Sequence, residues 1–215
     1  MNYLAHAHTV LDCPYTVVGT ALPDWLRACH PRPRLRCRHI DRALVDVDPL
    51  IGELLMGVQM HFADDERFHS HPCFLELSSD LALSLRRRFP GDRRLRASFL
   101  GHLFTELILD ACLIEARPRI LEDYYTSVGS VETARVVSTV ETLIACPLPL
   151  LSEFMALFQR ERFLSDYTND HLLCKRVNQV LRRVRLPPLP TAVVELLPQW
   201  RQKVRRVQHE LVSRS

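Results

Sequence analysis

An all-α fold is what this sequence predicts, and three observations predict it. Apolar residues recur at helical spacing along most of the chain, as in Ile51, Leu54, Leu55, Val58 and Phe62. Glycine is scarce, with 6 in 215 residues, which disfavours a turn-rich β-sandwich. Short β-branched runs such as Val136-Val137 sit inside helical periodicity, so no sheet is expected. Hydrophobic residues make up 47% of the chain, ample for a core. With no internal repeat and no clear boundary along the chain, a single helical domain over 1–215 is expected.

The elements follow in order. Asn2 to Leu11 reads as a short helix with Pro14 just beyond it, and a second helix runs near Tyr15 to Ala28, weakened by Gly19 and Pro23. His30 to Arg38, carrying Pro31 and Pro33, reads as a loop. From Asp48 to His69 the periodicity predicts a long amphipathic helix, with Asp48-Pro49 as cap and first-turn proline and Pro72 marking the exit. Helices are then expected near Cys73 to Phe89, Arg93 to Ala116, Pro118 to Tyr125, Val131 to Ala145, Pro149 to Phe158, Asp166 to Val184 and Thr191 to Val212.

Composition removes several classes of function. No GxGxxG or Walker-type loop is present, so nucleotide binding by those loops is not expected. The 7 cysteines are scattered without a C-x-x-C pair and read as reduced, packed thiols. Met1 to Val10 lacks a basic leader, and no segment is expected to reach the length of a membrane span, so the expectation is a soluble cytoplasmic protein. A net charge of +3 is too small to argue for nucleic acid. The arginines are nevertheless clustered. Arg27, Arg32, Arg34, Arg36, Arg38 and Arg42 crowd one segment with His30 and His39, and Arg86 to Arg88 with Arg93, Arg94 and Arg96 form another. Each cluster is either a solvated surface or a landing area for an anionic partner, and Arg34 and Arg36 are the candidate contacts.

The chemistry is concentrated in two segments. His61, Asp65 and His69 fall at successive i, i+4 positions, so one helix face would present imidazole, carboxylate and imidazole, a set able to hold a divalent metal. His102, Glu106 and Asp110 repeat the spacing and drift only about 40° per step around a helix. Two such faces turned toward each other would make a metal site. An isolated His–Asp pair at this spacing is more often a surface hydrogen bond. Leu103, Phe104, Leu107, Ile108, Leu109 and Leu113 change that balance for the second segment, because a mostly buried helix must satisfy its carboxylates with a metal, a cation or water.

With those residues in place, the chain resembles the bacterial acyl carrier protein phosphodiesterase family, a distant relative of the HD-domain metal phosphohydrolases. Met1-Asn2-Tyr3-Leu4-Ala5-His6 is similar to the family's opening, and Gly19-Thr20-Ala21-Leu22-Pro23-Asp24-Trp25 to its Gly-Asn-x-x-x-Asp-Phe segment. Gly57, His61, Asp65, His71 and Pro72 fall in register with its Gly-x-x-x-His-Arg-x-Ile-Asp and Thr-Asp-x-His-Pro runs. Leu109-Asp110-Ala111-Cys112-Leu113 resembles its Asp-His-Phe-Leu segment, with Glu106 where an Asp is usual. Looser similarity runs through Arg162-Phe163-Leu164 and Asn178 to Leu181.

The resemblance implies an HD-like helical phosphohydrolase that hydrolyses the phosphodiester between the 4′-phosphopantetheine arm and a Ser of acyl carrier protein, with a divalent metal, typically manganese. It implies His6, His61, Asp65 and Asp110 as ligands, with Asp24 and Glu106 as ligand or base. His8 lies about 200° from His6 on a helix, and the family match runs through His6. His102 is a candidate ligand or leaving-group acid, or alternatively a core histidine bonded to a carbonyl. His69 and His71 are further candidates toward metal or substrate, and His71 before Pro72 alternatively fixes a turn. Mixed imidazole and carboxylate ligation suits manganese, iron or zinc better than calcium.

The chain departs from the family at Phe62 (Arg in the family), Asp64 (Ile), His69 (Asp) and Ala111 (His). Losing an Arg there removes a phosphate clamp, while His69 and His102 add nitrogen donors. Two alternatives therefore remain: a hydrolase of another phosphoester, such as a nucleotide or small phosphodiester, and a non-catalytic helical interaction protein.

Overall fold

The computed structural model describes residues 1–30, 32, 34–41 and 48–213. Pro31 and Pro33 of the expected loop and Arg42 of the arginine cluster lie outside the described residues. The fold is all-α, with no strand among the described residues. Its helices are α1 (Tyr3–Ala7), α2 (Pro14–Cys29), α3 (Cys37–Asp41), α4 (Pro49–Ser70), α5 (Pro72–Arg88), α6 (Ala97–Ala116), α7 (Ile120–Ser130), α8 (Thr133–Ile144), α9 (Leu151–Glu161), α10 (Asp170–Arg183) and α11 (Leu197–Val212). Three 3₁₀ turns lie at Arg93–Leu95, Phe163–Thr168 and Thr191–Leu196.

Several boundaries differ from expectation for local reasons. The helix expected from Arg93 breaks at Arg96, which takes a left-handed backbone (φ 41°) between a 3₁₀ turn and α6. Asn169 caps α10 by accepting from His171 N–H and Leu172 N–H, so the helix begins there rather than at Asp166. Asp48 caps α4 as expected, accepting from Leu50 N–H and Ile51 N–H at 3.0 and 3.4 Å. The segment expected to be a loop through Arg38 is already helical from Cys37.

The described residues form two compact units. One is assembled from Met1–Ala5, Arg67–Pro118 and Phe163–Ser215. Its centre is α6, packed on α5 and α11. Gly101 makes the α5 contact close, since a Cβ there would lie 2.3 Å from the Ser78 carbonyl oxygen. Trp200 of α11 is fully buried against Phe104, and its indole N–H donates to Ser84 Oγ at 2.9 Å. By length and composition α6 could cross a membrane, contrary to the expectation that no segment would. Its apolar face is instead buried by α5 and α11, the pattern of a core helix.

The other unit comprises His6–Glu66 and Arg119–Arg162. Here α2 and α4 meet at a pair of glycines. A Cβ on Gly19 would lie 2.2 Å from the Leu54 carbonyl oxygen, and one on Gly57 would lie 2.2 Å from that of Thr16. Gly19, expected to weaken α2, is thus what lets α4 approach it. Pro23 is accommodated inside α2, which continues to Cys29. Trp25 is fully buried beside Phe158 of α9, with ring centroids 5.0 Å apart.

Candidate metal centre

The glycine crossing decides where His61 goes. One turn beyond Gly57, its imidazole meets the backbone just past Gly19, with Nδ1 2.8 Å from the Thr20 carbonyl oxygen. A carbonyl can only accept, so Nδ1 carries the proton and the Nε2 lone pair faces the other way. Nε2 is buried without a hydrogen-bond partner, and Asp65 Oδ2 lies 3.5 Å from it. Burial, aided by the neighbouring His6, pushes the His61 pKa down to about 3. The ring is therefore neutral at physiological pH, as a ligand must be.

His6 is arranged in the same way. Its Nδ1 lies 3.4 Å from Asp64 Oδ2, its Nε2 lies 3.4 Å from Asp65 Oδ1, and its ring stacks on His61 at 4.3 Å between centroids. Burial opposes the imidazolium, but hydrogen bonding to Asp64 and Asp65 more than offsets it and raises the pKa. Burial likewise opposes the Asp65 carboxylate, while the hydrogen bond to His6 leads the effects that hold its pKa well below the usual range. Both imidazoles are fully buried.

Each histidine thus engages an outside acceptor through Nδ1 and turns Nε2 to a different oxygen of one carboxylate. The separations of 3.4 and 3.5 Å are longer than a good N–H···O bond of about 2.9 Å. They are close to the roughly 3.3 Å between neighbouring ligands of a tetrahedral ion with bonds of about 2.05 Å. His6, His61 and Asp65 are thus a group that could hold a divalent cation, with the Thr20 carbonyl and the Asp64 carboxylate orienting the rings from behind. Asp64 escaped the sequence reading, being marked there only as a departure from the family. Its sole signal was a second carboxylate beside Asp65, on a helix turn that also carries His61.

The remaining candidates are placed as follows. His69, His102 and Glu106 form a separate convergent group in the other unit. Asp110 is fully buried and capped on both oxygens. Oδ2 accepts from Asn2 Nδ2 at 2.7 Å and Leu4 N–H at 3.1 Å, and Oδ1 accepts from Ala5 N–H at 2.8 Å. Partners of this buried carboxylate include the first backbone amides of α1, which have no acceptor within the helix. Asp24 lies 3.5 Å from Arg27 Nη1 and, like Asp110, joins neither convergent group among the described residues.

His71 does fix a turn: its Nδ1 accepts from Cys73 N–H at 3.3 Å, capping α5. His102 is 44% exposed, so the core-histidine alternative does not hold. Phe62 packs edge-on to His61 at 5.6 Å, where the resembled family has a guanidinium. Arg34 and Arg36 are exposed. Comparison with family models, with curated proteins and with solved structures finds no match.

Proposed function

We propose that this chain is a metal-dependent phosphodiester hydrolase whose cation is held by His6, His61 and Asp65. The observation that carries this is the convergence of two buried Nε2 atoms on one carboxylate, with the opposite nitrogen of His61 committed to the Thr20 carbonyl. Apolar packing alone does not aim two imidazoles and a carboxylate at a common point, and leaving His61 Nε2 buried without a partner would cost free energy. When bound, a divalent cation supplies Lewis acidity toward a phosphoryl oxygen and toward water. Asp64 holds His6 in orientation, and the Thr20 carbonyl does the same for His61.

Manganese is the proposed metal, with iron and zinc suited to the same donors. The similarity of Met1 to His6, of Gly19 to Trp25 and of Gly57 to Pro72 to acyl carrier protein phosphodiesterases supports release of 4′-phosphopantetheine from holo acyl carrier protein. The free thiols suit a cytoplasmic setting. A second substrate reading, a small or nucleotide phosphoester, is favoured by Phe62, which gives no guanidinium to clamp a phosphate.

The test is metal analysis joined to activity. Manganese-loaded protein should cleave holo acyl carrier protein, and His61→Ala should lose both the ion and the cleavage. Cleavage of a small phosphodiester reporter alone would select the second reading. Retention of the ion at this site by both His61→Ala and Asp65→Ala would remove the proposal. A cation that binds only the native arrangement should also raise the melting temperature of chelator-treated protein, by roughly 2.7 kcal/mol of stability at a hundredfold excess over Kd.

A further inference from the structure

His69 reaches from the last turn of α4 to His102 and Glu106, which sit one turn apart on α6. Both imidazole Nε2 atoms converge on a single oxygen, Glu106 Oε1, at 2.9 Å from His69 and 3.1 Å from His102. The two rings lie 4.8 Å apart, and Phe74 packs edge-on against both, at 5.3 and 4.9 Å. An aromatic edge shared by two imidazoles limits their rotation, so the convergence is built into the packing. The Met1 amino nitrogen also lies 3.2 Å from Oε1 and 3.5 Å from His69 Nε2. Burial opposes the Glu106 carboxylate, but the Met1 nitrogen and the hydrogen bonds from His102 and His69 hold its pKa well below the usual range.

We propose that His69, His102 and Glu106 form a second binding site, for a divalent transition cation of the zinc type, with no ligand in common with the His6 set. Two imidazole nitrogens and one carboxylate oxygen are a ligand complement that zinc and its neighbours favour over calcium or magnesium. The ligand atoms lie within 4.8 Å of one another, and a cation there takes the position beside Oε1 that the Met1 nitrogen holds. Side-chain exposures of 35% for His69 and 44% for His102 leave the remaining coordination positions to solvent. The site is open, in the manner of an exchangeable rather than an enclosed ion. The ligands differ from those of the proposed hydrolase cation, and the count of two ions below rests on that proposal as well.

The full-length protein, stripped with chelator and titrated with zinc, should bind two ions per chain by elemental analysis. Cobalt(II) should give visible ligand-field bands for the same site. His69→Gln with His102→Gln should leave one ion and weaken zinc binding at the second site at least about tenfold, given that losing even an outer support costs that much. His61→Ala should also leave one ion, but a different one, retaining the cobalt bands of the second site. A melting temperature near wild type for the paired Gln variant, whose changes are at part-exposed positions, would show that the loss is local. Two outcomes overturn the proposal: a single ion that disappears with His61→Ala, and zinc stoichiometry unchanged by the paired Gln substitution. A single ion that survives His61→Ala and disappears with the paired substitution would uphold this site and sink the other.

Discussion

The two triads use nearly the same donors in opposite environments. His6 and His61 are fully buried, each with Nδ1 engaged behind it, whereas His69 and His102 are about a third to two-fifths exposed and rest on an aromatic edge. Burial drives the His61 pKa down to about 3, so its lone pair is always available and the cost of leaving it unpaired is high. In the open triad water can serve each nitrogen when no ion is bound. Nearly the same donors therefore make two different settings, distinguished by the backing of each ring and its access to water. The buried triad should hold its ion tightly and exchange it slowly, and the open triad should follow the free concentration of the cation.

A glycine at a helix crossing adjoins each triad in sequence, Gly57 one turn before His61 and Gly101 next to His102, and this gives the largest expected effect. Gly57→Ala places a methyl 2.2 Å from the Thr16 carbonyl oxygen, a backbone atom that cannot rotate away, so α4 must separate from α2. The expected loss is about 3 kcal/mol, at the upper end of overpacking costs, together with the buried triad's cation as His61 leaves Thr20. Gly101→Ala meets the Ser78 carbonyl oxygen at 2.3 Å and should instead weaken zinc binding by His102 and Glu106. Thermal melts and metal counts on the two variants check this. If both lose the same ion, the triads are not positioned by separate crossings.

How much of this could be read from the chain divides along the same lines. The His61–Asp65 and His102–Glu106 pairs were legible because one helical turn brings i and i+4 together. Treating His61 and His69 as parts of one site was not sound: residues eight apart on a helix are separated by about 12 Å of rise, too far for a single ion. His69 does meet His102 and Glu106, so the last turn of α4 and the face of α6 converge as the spacing predicts. His6 was accessible through resemblance alone. Asp64 stayed hidden because it lies about 100° from Asp65 on an ideal helix, and its partner belongs to another segment. The all-α class was legible from periodicity, yet Gly19 read as a weakness because a close backbone approach leaves no mark in a single sequence. The break at Arg96 was equally silent, since a left-handed arginine has no compositional signal.

Asp110 gives the next effect and puts its ligand assignment to the test. Asp110→Ala removes the acceptor of Asn2 Nδ2, Leu4 N–H and Ala5 N–H. Buried donors left unsatisfied cost about 1–3 kcal/mol, so the variant should melt lower by that amount while keeping both ions. A manganese-induced rise in melting temperature equal to that of wild type would show that the carboxylate supports α1 and no cation. Loss of an ion with little change in the metal-free melting temperature would restore it as a ligand.

The smallest effect concerns substrate capture by the unit that holds the buried triad. Arg34 and Arg36 are exposed ahead of α3 and carry charge that no apolar packing requires. If the substrate is an acidic carrier protein, these charges act on encounter over a Debye length of about 10 Å at 0.1 M salt. Reversing both to Glu should then raise KM for holo acyl carrier protein by up to about tenfold at low ionic strength, an effect that fades as salt is added. A small phosphodiester reporter has no acidic protein surface for these arginines to attract, so its turnover should not change. Zinc affinity at the open triad should not change either, which makes that site an internal control on folding. A salt-independent loss shared by both substrates would mean that the reversal damages the buried triad's surroundings, and the arginines would then have to be assigned to structure rather than to a partner.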